Sequence, residues 1–442
     1  MPTEVERNGH HPHLVDAIGL GVGDDRPRFD PVLMTAGDRP EDASLPALVD
    51  PAADHVDPEV AGRRADVNEK HHRVIAFLQA HDYDGVLLTR ADSIAWFTAG
   101  GDLGRDLASE LGSVAIFINR TTRAVLADNV QSARVFEEEL AGLGFQLKER
   151  PWYQDASKVV AELTCGRRTA VDGHLPGLAA EPEGLRALRR PLTELERGRL
   201  RDLGRALTLA VEATCRNFLP GETEADVAGH LAHRMIRAGV VPVDLRVAGD
   251  DRLARYRQPG FKAAPIVRRA TLAAIGRRHG LCAAATRVVA FGPVDASFRA
   301  GHTVASMVDA TCIYFSRPGE PISEVFRRAR RIYEKFGHPH EWGLDYQGSL
   351  IGYARNEGLL RPDDHAPLVA GSALCWNPSV GHARSEDTVV IDSRGFEVVT
   401  EAQDWPKIDV YVKGFPIPRP GILERGASPR RAARPANPTG PC

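Results

Sequence analysis

The residues best suited to chemistry are two carboxylates, two histidines and a few hydroxyl and guanidinium groups. Glu357 closes the stretch YQGSLIGYARNE (346–357), whose glycines allow close backbone approach and whose Tyr346, Ser349 and Tyr353 supply hydroxyls. Glu386 follows Arg384 by two residues, so on a strand the two share a face and could pair. Two carboxylates could bind a cationic amine or divide acid–base work between them; equally, both could neutralise local arginines. His279, between Arg278 and Gly280, and His382 are the available proton carriers, because imidazole titrates near neutrality; a structural histidine is the competing reading. Arg287 has the planar fork that clamps a carboxylate. Ser349 has no activating triad visible in sequence. Trp376 and Trp342 either wall a pocket or pack a core. Cys282 and Cys375 stand in apolar strands with nothing nearby to depress a thiol pKa, so they read as buried structural thiols. GLGVGDD (19–25) has the glycines of a phosphate loop but no strand before it, and is set aside.

The elements that must position these groups follow from patterning. A chain of 442 residues exceeds one ordinary core, which predicts two domains. A net charge of -3 argues against a nucleic-acid binder. No apolar run reaches membrane-span length, and the polar N-terminus lacks a signal-peptide core. Six scattered cysteines without a CxxC pair fit a cytoplasmic protein rather than a disulfide scaffold. The excess of Arg over Lys, with abundant Ala, Gly and Pro, suggests a bacterial source. Residues 1–62 read as an N-terminal arm. Residues 63–188 read as a smaller α/β domain: a helix through VNEKHHRVIAFLQAHDY, strands GVLLTR, SVAIFINR, RAVLADN and AVDGHL, and a helix over VQSARVFEEELAGLGF. Residues 189–412 read as the second domain. Its first helices start at the caps Thr193 and Thr223, TLAAIG and AATRVVAFG follow as strands, two helices divide at Pro318-Gly319, and a strand-rich end carries a Ser-Arg-Gly hairpin turn. Residues 413–442 read as a flexible tail rich in Pro and Arg.

The order of these pieces over about residues 65–410 resembles the creatinase/prolidase/aminopeptidase P (pita-bread) family. DGVLLTRADSIAWFTAG, LTELERGRL, PGETEADVAGHL, RPGEPISEVFRRARRIYEKFG and SEDTVVIDSRGFEVVT carry the resemblance, the last most strongly. It implies an α+β fold: a pita-bread catalytic domain preceded by a creatinase-like α/β N-terminal domain. It also implies a homodimer in which Trp96, Phe97 and Arg105 help to close the neighbour's pocket.

The family's two-metal site uses two Asp, one His and two Glu. Set against that pattern, the first aspartate position falls near Arg278 or His279 and the second near Ala284. Ser349 stands at the metal histidine, Asn356 at a second histidine with Glu357 retained beside it, and Asn377 at a metal glutamate; of the metal ligands only Glu386 survives. One carboxylate cannot hold a di-metal cluster, and an arginine would repel one. His279 and Glu386 would at most form a mononuclear site. No metal and no cofactor is therefore expected. The histidine that shuttles a proton in metal-free creatinase corresponds to Gln258, and an amide cannot do that work. The resemblance thus implies a metal-independent enzyme cleaving a C–N or similar bond in a small amino-acid-like or amidine-like substrate. His279 or His382 would be the base, with Glu357 and Glu386 orienting or protonating. Arg287, Arg384, Tyr346, Ser349, Tyr353, Asn377, Trp376 and Gln258 would bind. A non-catalytic ligand- or protein-binding homologue and a divergent Xaa-Pro peptidase are the alternatives.

Overall fold

The computed structural model describes residues 57–104, 107 and 109–426. Most of the expected arm, Arg105 and residues 427–442 of the expected tail lie outside the described residues. Helix α1 (Pro58–His81) begins where the Asp57 side chain accepts the Glu59 N–H at 2.9 Å, so residues 58–62 of the expected arm are helical.

A six-stranded mixed sheet follows. It is built from β1 (Gly85–Arg90), β2 (Leu111–Ile118), β3 (Arg123–Asp128), β4 (Gln146–Arg150), β5 (Thr169–Val171) and β6 (Ala179–Ala180), in the order β4-β3-β2-β1-β5-β6. Helix α2 (Ala91–Phe97) leaves β1 directly. The helix expected over VQSARVFEEELAGLGF is only α3 (Ser132–Arg134) and a π-helical turn at Val135–Glu139; Gly142 and Gly144, both at positive φ, stop it. Helices α4 (Ala156–Thr164) and α5 (Pro182–Leu188) complete this region.

Both predicted caps open their helices. Thr193 starts α6 (Glu194–Asn217) and Thr223 starts α7 (Glu224–Arg237), each with the reciprocal bonds of a capping box. Leu200, Leu203, Leu207 and Val211 recur every three or four residues along α6 and are fully buried. At about 1.5–3 kcal/mol for each such side chain, this stripe fixes α6 against the second sheet. Gly204 allows the approach: a Cβ there would sit 2.1 Å from the Val399 carbonyl oxygen.

The second sheet is large and antiparallel apart from its last strand. Its path is β11-β10-β12-β15-β9-β8-β7. In chain order these are β7 (Val241–Gly249), β8 (Arg269–Arg278), β9 (Leu281–Phe291), β10 (Gly348–Ile351), β11 (Gly358–Leu359), β12 (Ala373–Trp376) and β15 (Asp387–Asp392). Between them come α8 (Asp250–Arg255), α9 (Ala296–Phe315), α10 (Ile322–Lys335) and the paired β13 (Ser379–Val380) and β14 (Ala383–Arg384). Strand β16 (Gly395–Val398) pairs with β15. The whole is the mixed α+β, pita-bread arrangement expected, with a further N-terminal region. No described helix is long and apolar enough to cross a membrane.

The expected tail begins too early. Residues after 412 form β18 (Phe415–Pro420), paired with β17 (Lys407–Val412), and β19 (Ile422–Arg425), which lies parallel to β9. Prolines are tolerated in β18 because it pairs on one side only. Val410, Val412 and Ile417 pack on Ala310 of α9, and Arg419 is buried against Asp309 and Asp387. One apolar core runs from Val67, Ile94 and Trp96 through Leu200 to Leu281 and Tyr353, so both sheets share it.

Candidate active site

A cleft of about 250 Å3 opens over the concave face of the second sheet. Ala273 of β8, Ala284 of β9, Ser349 of β10, Asn377 beyond β12 and Glu386 before β15 all line it. Register brings them together: Ser349 pairs with Cys375, Cys375 with Thr388, and Asp387 with Ala285. The positions expected to hold metal-binding carboxylates therefore do surround one cleft, with the first displaced. On β8 the residues that share the cleft with Ala284 are Ala273–Ile275, whereas Arg278 and His279 lie at the β8–β9 turn and line another cavity.

Glu386 is held by two neutral donors. Thr286 Oγ1 donates to Oε2, and the Cys375 thiol donates to Oε1 at 3.4 Å. Burial, and then the carboxylate beside it, push the Cys375 thiol well above its ordinary pKa, so it serves as a donor. No cation pairs with Glu386 among the described residues. Asn377 is buried, and its amide oxygen has no partner among the described residues.

The rim carries the opposite charge. Arg246 reaches Asp244 at 2.6 Å, Tyr346 Oη at 3.1 Å and the Gln258 side chain. Arg355 reaches the same Asp244 oxygen at 3.3 Å. Burial alone would lower the Arg246 pKa, but Asp244 and Tyr346 more than offset it and raise it. One acid thus faces two guanidiniums.

Beside Glu386 a small chamber of about 30 Å3, room enough for a water, is also lined by His382, Gln258 and Arg384. His382 Nδ1 is buried without a partner among the described residues. Burial, then Arg257 and Arg269, lower its pKa and keep the imidazole neutral.

Several expected site residues are elsewhere. Glu357 does not line the cleft: it is buried and receives two bonds from Arg189, at 2.8 and 2.9 Å. Arg189 also binds Asp92 at 2.8 Å, so it ties both Glu357 and the segment before α6 to α2. Arg287 is 1% exposed and spent on Glu212, Asp387 and the Thr400 carbonyl, which removes it as a substrate clamp. Arg384 pairs with Asp345 rather than Glu386 and lines only the small chamber. Tyr353 is buried and donates to Glu196 at 2.7 Å. Trp376 is in the core with its indole N–H on Ser316 at 2.9 Å, and Trp342 packs beside the same core under Arg330. Trp96 and Phe97 are 1% and 0% exposed within their own chain, so neither can cover a neighbour's pocket.

The site residues missed in sequence are chiefly Asp244, Arg246 and Arg355. The first two lie on β7, whose alternation in VPVDLRVAG is the signal that would have found them.

Among the described residues no group of three or more His, Cys, Asp or Glu is placed to hold a metal ion. The donors present do not fit a two-metal centre either. Alanine fills the two positions facing Glu386 across the sheet, Asn377 is neutral, and Arg246 adds positive charge. A mononuclear pair is also removed, since His279 and Glu386 line different cavities.

Residues 198–393 match the model of Metallopeptidase family M24. No curated protein matches the chain. Among solved structures it is similar to an Xaa-Pro dipeptidase from Bacillus anthracis, at 18% identity over 76% of this chain and 98% of that one, with a TM-score of 0.66. A dipeptidase from Mycobacterium ulcerans matches at 18% identity over 82% and 99%, with a TM-score of 0.67. The N-terminal domain of a FACT complex subunit from Cicer arietinum matches at 12% identity over 77% and 97%, with a TM-score of 0.59. At these identities the likeness is one of fold.

Proposed function

We propose that this chain, which belongs to metallopeptidase family M24 through residues 198–393, is a metal-independent enzyme acting on a small amino-acid-like or amidine-like molecule. The observation that carries the reading is the split of charge across the cleft. Asp244 answers only one of Arg246 and Arg355, so the rim keeps a positive surplus, while Glu386 on the floor faces no cation among the described residues. A zwitterion or amidinium acid complements both ends.

In this reading Arg246 and Tyr346 hold the substrate carboxylate. Glu386 takes a proton from a water whose oxygen bonds the carbon, and that proton passes to the leaving nitrogen as the C–N bond breaks. Asn377 accepts an N–H with its free amide oxygen. His382 exchanges the proton with Glu386 across the small chamber. Turnover of small amines, amidines and dipeptides in the presence of chelator, compared with Glu386→Gln, tests the assignment. Turnover that survives Glu386→Gln sinks it, and two metals per purified chain would favour the peptidase alternative instead.

A second reading, ligand binding without turnover, is favoured by a separate observation. Both Glu386 oxygens already accept bonds from Thr286 and Cys375, and no histidine lines the main cleft. Saturable binding of a zwitterion with no product after long incubation would select it.

A further inference from the structure

A second and larger cavity, of about 420 Å3, lies where the β8–β9 turn meets α1, the loop after α2 and the start of α6. It is distinct from the cleft at Glu386, although Tyr353 lines the one and Arg355 the other. Four guanidiniums line it, those of Arg63, Arg199, Arg277 and Arg278, with His279 among them.

The acids around it are mostly committed. Glu59 pairs with Arg199 at 3.3 Å, and Asp92 with Arg189 at 2.8 Å. Glu139 lies 3.7 Å from Arg134 and accepts the Asp102 N–H at 2.9 Å. Arg277 and Arg278 have no carboxylate partner among the described residues. Arg63 gives one nitrogen to the Thr98 and Glu139 carbonyls, and its buried Nε has no partner among the described residues. Four arginines and four carboxylates line the cavity, and of the arginines Arg63, Arg277 and Arg278 form no ion pair among the described residues.

The wall is closely fitted. Gly100 has φ +82, and a Cβ there would lie 2.8 Å from both Arg199 Nη1 and the His279 carbonyl oxygen. Successive positive φ at His279 (49) and Gly280 (74) form the two-residue hairpin turn that places the imidazole beside these cations. Burial, then Arg199 and Arg278, push the His279 pKa down to about 4, against a smaller opposing effect of Glu59.

We propose that this second cavity binds a small dianion, a phosphate monoester or a dicarboxylate, between Arg278, Arg277 and Arg63. Guanidinium forks suit both anions, and these three arginines have donors that no carboxylate of the described residues takes up.

Calorimetric titration of the full chain with inorganic phosphate and, separately, with succinate, each against chloride at matched ionic strength, tests this. One saturable site is expected for at least one of them, weakened about tenfold or more by Arg278→Gln and unchanged by Glu386→Gln. Saturation by phosphate alone points to phosphate esters, and by succinate alone to dicarboxylates. The His279 ring resonances should shift on saturation, which reads the site without relying on a variant. No saturable binding of either anion beyond chloride, or binding that is indifferent to Arg278→Gln in a protein of unchanged melting temperature, overturns the proposal.

Discussion

The Cys375 thiol donates to Glu386 Oε1 at 3.4 Å inside the main cleft. Its proton is shared with a carboxylate and its pKa is raised, so this cysteine is a poor nucleophile despite its position. Iodoacetamide at pH 8 should therefore label the exposed Cys165 rapidly and leave Cys375 unmodified in the folded protein. Peptide mass mapping checks this, and prompt labelling of Cys375 would show a thiolate that the geometry does not support.

The two glutamates left by the family pattern should behave oppositely. Glu386→Gln is expected to lower turnover about 100-fold or more with little change in stability. Glu357→Gln breaks a buried pair with Arg189 and is expected to cost about 3–5 kcal/mol of folding free energy. Urea unfolding and steady-state rates on both variants separate the roles.

Lys70 is fully buried between Asp66 at 2.5 Å and Glu196 at 2.6 Å, and also donates to the Trp96 carbonyl at 2.8 Å. Lys70→Met leaves two carboxylates facing each other out of water. A loss of about 3–5 kcal/mol is expected. A Lys70→Met/Glu196→Gln double variant should recover part of it, since one uncompensated charge is gone.

Acid should weaken the fold in a defined window. His302 is 3% exposed, and burial pushes its pKa down to about 4 from an ordinary 6.5. The unfolded chain takes the proton first, so the contribution is complete above pH 6.5 and is lost as pH falls towards 4. Its size is of the order of 3 kcal/mol. His302→Gln should flatten the difference between unfolding free energies measured at pH 7 and pH 4.5; an unchanged difference would place the acid sensitivity elsewhere.

Much of this architecture is legible in the sequence. The caps Thr193 and Thr223 were readable because capping is local, written within four residues. The frame of Ala284, Ser349, Asn377 and Glu386 was readable from the order of motifs. Side-chain parity was the neglected signal. Ala284 and Thr286 share the cleft face of β9, which sends Arg287 to the opposite face and Glu212. By the same alternation Cys375 and Asn377 line the cleft and Trp376 enters the core. Glu357 had no such clue. It sits in an irregular turn, and its partner Arg189 is 168 residues away in sequence, so only the fold could pair them.

Strand β19 is the last described element, yet it lies in parallel register along Val288–Phe291 of β9, near the middle of the large sheet. A ribosome delivers this chain from its N-terminus, so that flank of β9 has no partner until residues 422–425 have emerged. The first sheet can form before those residues are made, whereas the second cannot be finished without them. Early termination, or a bulky fusion placed directly after Arg425, would therefore act on the sheet that carries the cleft, not on a dispensable end.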